Sequence, residues 1–231
     1  MAGLEALLLG GLAQSSLILS GLAVYLVRPS EKVIGSLAGF GAGALISALS
    51  FDLVPQAEGL GQTELALWLL IGAAIFVVSD RIVESKFGEG DDSGPLGIVV
   101  GSVVDGVPES IIFGVQIATG QVVSAAFIGA VWVSNIPQAL APSAALAGSG
   151  WKVARMAGMW GVVVAACAAT AGLGYLVGIG LGASGDRAAA VAAGGLLAML
   201  TDSLMPYAVK KAGAQAGIWT VVGFVFSLAA G

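Results

Sequence analysis

The stretch "VVDGVPESIIFG", residues 103–114, places an aspartate, a glutamate and a proline inside a run that is otherwise apolar. On a helix Asp105 and Glu109 share one face, because residues four apart are neighbours there. Pro108 has no N–H and frees the carbonyl four residues earlier, that of Val104. Whether this is an ordinary kinked helix or a site depends on the solvent, and the rest of the chain decides that.

The chain has 231 residues, of which 58% are hydrophobic and 10% charged, and its mean hydropathy is +0.99. A soluble domain carries about 25% charged residues. A water-facing surface cannot be made from this composition, so the sequence predicts an all-α polytopic membrane protein organised as a single unit, 1–231. A bilayer core needs about 20 apolar residues per helix. Eight segments qualify, approximately 6–27, 33–54, 66–83, 96–118, 122–146, 153–181, 188–209 and 214–231. Long continuous runs favour helices, which also satisfy every backbone group internally. The 36 glycines suit close helix approach. The N-terminal segment has Glu5 and no basic lead-in, so it reads as a retained first span.

The charge pattern carries direction. Arg28, Lys32, Arg81, Lys86, Lys152, Arg155, Lys210 and Lys211 all fall on one side of an eight-span arrangement, and only Arg187 falls on the other. Basic loops stay inside, so both termini are expected to be extracytoplasmic. The polar loop "ESKFGEGDDSGP" (84–95) is then cytoplasmic, a solvated connection. The net charge of −5 comes with no basic patch, which argues against nucleic acid as a partner. Cys167 is the lone cysteine and lies in an apolar run, which reads as an inert buried thiol. There is no histidine.

Two internal pairs stand out. Residues 41–57, "GAGALISALSFDLVPQA", and 192–208, "AAGGLLAMLTDSLMPYA", align without a gap and match at seven of seventeen positions. These include Gly43/Gly194, Leu53/Leu204, Pro55/Pro206 and Ala57/Ala208. Each carries an aspartate near its end, Asp52 or Asp202. The second pair is "DGVPES" (105–110) and "SNIPQA" (134–139). The members of each pair would cross the membrane in opposite directions, which is the pattern of inverted repeats with broken helices at the midplane.

Chemistry follows from the second pair. Ser134 and Gln138 share a face as Asp105 and Glu109 do, and Pro137 frees the carbonyl of Val133. Two such faces set together make a pocket of oxygens from Asp105, Glu109, Ser134, Asn135 and Gln138, suited to a hard cation. Ionisable groups at membrane depth are costly and usually line a path. Ser134, Asn135 and Gln138 are equally readable as interhelical hydrogen-bonding groups. Asp52 and Asp202, near span ends, are candidates for an entrance and an exit.

At these residues the chain resembles the ZIP family of divalent-metal transporters. The resemblance rests on "DGVPES", "SNIPQA", "FDLVPQA" and "TDSLMPYA" and covers nearly the whole chain. It implies eight transmembrane helices in a 3+2+3 inverted repeat, both termini outside, and a metal site between spans four and five. It also implies a bacterial-type carrier of the inner (plasma) membrane, whose partners are a divalent metal ion and the lipid bilayer. A homodimer is compatible with it. The departures are consistent. Asp105 stands where the family has histidine and Gly106 where it has asparagine. Ser134, Asn135 and Gln138 replace stronger ligands, and Gln56 and Tyr207 replace the glutamates of the family's Pro-Glu-Ala segments. Glu109 is kept.

The expected function is transport of a divalent cation (Zn²⁺, Mn²⁺, Fe²⁺ or Cd²⁺), with metal as substrate and no cofactor. A site built of oxygens favours a harder ion such as Mn²⁺. The alternative is a non-transporting protein on the same scaffold, acting as partner or regulator. No enzyme is expected, since no histidine, reactive cysteine or serine with a base is present.

Overall fold

The computed structural model describes residues 1–87, 94–180 and 185–231, and among them every regular element is helical. The helices are α1 (Ala2–Ala23), α2 (Glu31–Ala48), α3 (Gln62–Phe87), α4 (Gly94–Ala118), α5 (Ala125–Gly148), α6 (Val153–Gly180), α7 (Gly185–Met199), α8 (Met205–Ala212) and α9 (Gln215–Ala230). Ser30 and Ser124 cap α2 and α5 by accepting from Val33 N and Phe127 N, which satisfies an orphan donor of the first turn. That cap starts α5 three residues later than the hydropathy run at 122 suggests. Glu89, Asp91 and Asp92 of the expected cytoplasmic loop, and the end of the sixth apolar segment at Leu181, lie outside the described residues.

Six of these rods are long and apolar enough to cross a membrane. The remaining two expected spans fall short for different reasons. α5 is long enough, but its Ser, Asn, Gln and prolines lower its hydropathy. α9 has 16 residues, about 24 Å of helix against a core of about 30 Å.

Burial sorts the rods into layers. In the most apolar window of α3 only 11% of residues are buried, against 67% for the rod built on α2. α1, α3, α6 and α9 turn Leu8, Leu70, Leu173 and Val221 outward, while α2, α4, α5 and α7 fill the middle. The polar groups are the buried ones: Gln14, Glu109, Gln116, Ser134 and Asn135 are all 2% exposed or less. A body with an apolar skin and a polar centre is suited to lipid rather than water.

Glycine contacts fix the helix directions. Gly35, Gly39 and Gly43 of α2 meet Lys211, Ala216 and Thr220 in turn, so α2 and α9 run the same way. Gly3, Gly10 and Gly21 of α1 meet Tyr175, Ala171 and Trp160, so α1 and α6 run oppositely. One end of the bundle is tied together by Lys211 to Glu31 at 2.9 Å and by the Tyr25 hydroxyl donating to Trp151 O at 2.6 Å. The eight basic residues on one side in the sequence collect there. Arg187 sits at the opposite end, 2.8 Å from Glu64. Both termini are at that opposite end too, Gly3 against Tyr175 and Gly231 against Ala126.

The repeat at 41–57 and 192–208 has a counterpart in backbone geometry. Leu49–Leu53 and Leu200–Leu204 are both π-helical turns, related by the same shift of 151 residues as the sequence match. Val54 N bonds Leu49 O in one, and Met205 N bonds Leu200 O in the other. Pro55 and Pro206 follow each. A proline in the next turn cannot donate and crowds the preceding carbonyls, and a π turn is a common way to accommodate such a fault. The packing obeys the same shift. A side chain at Gly43 would strike Thr220 O, and one at Gly194 would strike Leu69 O. One at Gly223 would strike Phe40 O, and one at Gly72 would strike Val191 O. Each pair becomes the other when 151 is added to one residue and subtracted from its partner.

The expectation of broken helices at the midplane is not met. α4 continues through Pro108, and α5 through Pro137 and Pro142. Each proline removes one hydrogen bond, and the flanking bonds and packing hold the rest of the helix.

Candidate functional site

The five residues expected to form one pocket separate into three environments, because α4 and α5 touch each other little and α1 packs against both. Ser134 donates to Val131 O of its own helix at 2.9 Å and is fully buried against α2. A Cβ at Gly41 would stand 2.7 Å from the Ser134 Cα. Its hydroxyl proton is thus used by its own backbone at a close helix crossing, apart from the groups around Glu109 and Asp105.

Glu109 and Asn135 do meet, through a residue the sequence reading did not single out. Gln14 of α1 donates from Nε2 to Glu109 Oε2 at 2.9 Å, and its Oε1 accepts from Asn135 Nδ2 at 2.9 Å. Gln14 is 0% and Glu109 1% exposed. The second carboxyl oxygen of Glu109, Oε1, has no hydrogen-bond partner among the described residues. The signal for Gln14 was present as the polar run Gln14-Ser15-Ser16 in the first apolar segment.

Asp105 and Gln138 line a cavity of about 300 Å³ together with Asp80, Glu84, Ser102, Asp202, Ser203 and Tyr207. It lies between α3, α4, α5 and the α7–α8 rod, toward the end of the bundle where the basic residues gather. Among the described residues that line it, four are acidic and none is Lys or Arg. Asp80, Asp105 and Asp202 share its lining. Arg81 approaches Glu84 at 3.8 Å from outside. Low-dielectric walls around charges of one sign concentrate counter-ions. Asp105 is the innermost of these acids, and Glu109 follows one helical turn deeper, so the acids form a ladder from the mouth to the bundle centre.

Asp202 belongs to this cavity. Asp52 is at the far end, where it accepts from the Ser124 hydroxyl at 2.8 Å. Beside it Gln116 Nε2 donates to Gln56 Oε1 at 2.7 Å, and Gln121 reaches Gln56 O at 3.4 Å. Phe113 and Phe127 pack below with ring centroids 5.0 Å apart. That end of the α4–α5 region is closed by hydrogen bonds, whereas the end with Asp202 is open.

Among the described residues no group of three or more His, Cys, Asp or Glu side chains is gathered tightly enough to hold a metal. The acids are instead strung out along a path, and any inner coordination must draw on amides, hydroxyls or a thiol. No protein-family model matches the chain, and no curated protein matches it.

Proposed function

We propose that this chain is a ZIP-like carrier of divalent metal cations. In this reading eight spans form a 3+2+3 inverted repeat in an inner (plasma) membrane, with both termini outside and the acid-lined cavity opening to the cytoplasm. The observation that carries it is the cavity: four carboxylates without a basic residue among the described lining, ending at Asp105 one turn above a buried Glu109. Buried carboxylates without counter-charge are costly, and a dication is the cargo that two of them neutralise. The shared end for the basic residues supports the orientation. The two π turns and the four reciprocal glycine contacts support the repeat.

Asp80, Glu84 and Asp202 collect the ion, Asp105 and Gln138 receive it, and Glu109 holds it at the centre. The hydrogen-bonded end around Gln56 and Gln116 keeps the far side shut in this conformation, so the ion exchanges with one side of the membrane at a time.

A scaffold protein that moves no ion is the second reading. The lack of a tight three-ligand group among the described residues favours it. Purified protein in liposomes, offered Zn²⁺, Mn²⁺, Fe²⁺ and Cd²⁺ separately, distinguishes the two. The carrier reading expects saturable uptake of at least one of them above empty vesicles. Uptake of none, by protein shown to be folded, leaves the scaffold reading.

A further inference from the structure

Cys167, which the sequence reads as an inert thiol, stands where four helices bring polar groups together. It is 0% exposed on α6. A Cβ at Gly106 of α4 would lie 2.6 Å from Cys167 Sγ, 3.5 Å from Gln14 Nε2 and 3.6 Å from Gln14 Oε1. The thiol and the Gln14 amide therefore face the same notch in α4. The same Gln14 amide donates to Glu109 Oε2 at 2.9 Å, which brings that carboxylate to the thiol's side of the notch. Glu109 contributes the unpartnered, buried Oε1. Asn135 closes the group from α5 through Gln14.

We infer that Cys167 and Glu109 are joint ligands of the transported cation, with amide oxygens from Gln14 or Asn135 completing the shell. This rests on the carrier reading and sharpens it, because the ligand set decides the ion. One thiolate and one carboxylate carry two negative charges and neutralise a dication. Thiolate ligation selects borderline and soft ions, so the site takes Zn²⁺ or Cd²⁺ ahead of Mn²⁺. This reverses the preference expected from oxygens alone. The thiol proton leaves to water as the metal binds, since a cysteine ligates as thiolate. The bland account is that Cys167 fills the notch that Gly106 leaves, and it makes a different prediction.

The test is a Cd²⁺ titration of the purified full chain in detergent, followed by the ultraviolet charge-transfer band of a cadmium–thiolate bond. The wild type should develop the band and saturate. Cys167→Ser and Cys167→Ala should bind Cd²⁺ without it and at least roughly 10-fold more weakly, the lower bound for losing even an outer-shell partner. Their Mn²⁺ affinity should change less. Glu109→Gln should weaken the titration of the band. A wild type that binds Cd²⁺ in a Glu109-dependent way but shows no band overturns the thiol and leaves the carrier reading standing. No Cd²⁺ binding by the wild type also overturns the thiol site, and the carrier reading falls with it only if Zn²⁺, Mn²⁺ and Fe²⁺ fail to bind as well. The wild-type band decides the matter even if both cysteine variants fold poorly.

Discussion

Glu109→Gln should lower the affinity for divalent cations at least about 100-fold, close to 2.7 kcal/mol, while leaving the protein folded. The loss should exceed the roughly 10- to 100-fold typical of outer-shell changes, because the carboxylate supplies half of the charge that a dication needs at the centre. Folding should survive, since the Gln oxygen can still accept from Gln14 Nε2, the side-chain hydrogen bond Glu109 makes among the described residues. Asp105→Asn should cost less, because Asp105 faces a cavity where Asp80 and Asp202 supply nearby charge. Ser134→Ala should leave affinity unchanged, since its hydroxyl is bound to Val131 O. Titration calorimetry on the three variants reads this order directly. A Glu109→Gln protein that binds every tested cation like the wild type contradicts the assignment.

The second large effect is structural and tests the repeat. Gly43→Ala and Gly194→Ala should each destabilise by about 3 kcal/mol or more, at the upper end of overpacking costs. In both cases the added methyl meets a backbone carbonyl, Thr220 O or Leu69 O, that cannot rotate away as a side chain could. Gly158→Ala and Gly217→Ala should be close to neutral, because nothing stands within 4 Å of either new methyl. Loss of folded protein on heating in detergent measures all four. If the α2–α9 and α7–α3 contacts are equivalent, the first two losses agree with each other. A large loss at Gly43 with none at Gly194 contradicts the equivalence.

The helical class and six of the spans follow from hydropathy, because lipid enforces both the length and the apolar surface of a helix. The gathering of basic residues at one end follows too. The gapless match of 41–57 with 192–208 has the same 151-residue offset as the two π turns, but the turns themselves are not legible in it. What the sequence could not supply is which faces meet. The i, i+4 spacing puts Asp105 and Glu109 on one side of α4, but it does not say that α1 comes between α4 and α5. The bridge that Gln14 makes between Glu109 and Asn135, and the close approach of α2 to Ser134 at Gly41, are set by that packing and not by spacing along one helix. Asp80 and Glu84, at the end of α3, join the cavity only because α3 packs beside α4 and α7. Cys167 illustrates the same limit: its neighbours are set by Gly106, 61 positions away, whose missing side chain lets α6 approach.

The central claim is that a dication rests at mid-bundle on Glu109, reached from the acid-lined cavity. Crystals of the protein grown or soaked with Cd²⁺ test it most directly, through an anomalous-scattering map. The account predicts a peak within ligand distance of the Glu109 carboxylate. A map whose only peaks lie on surface acids such as Glu31 or Glu58, with none in the bundle centre, would contradict it.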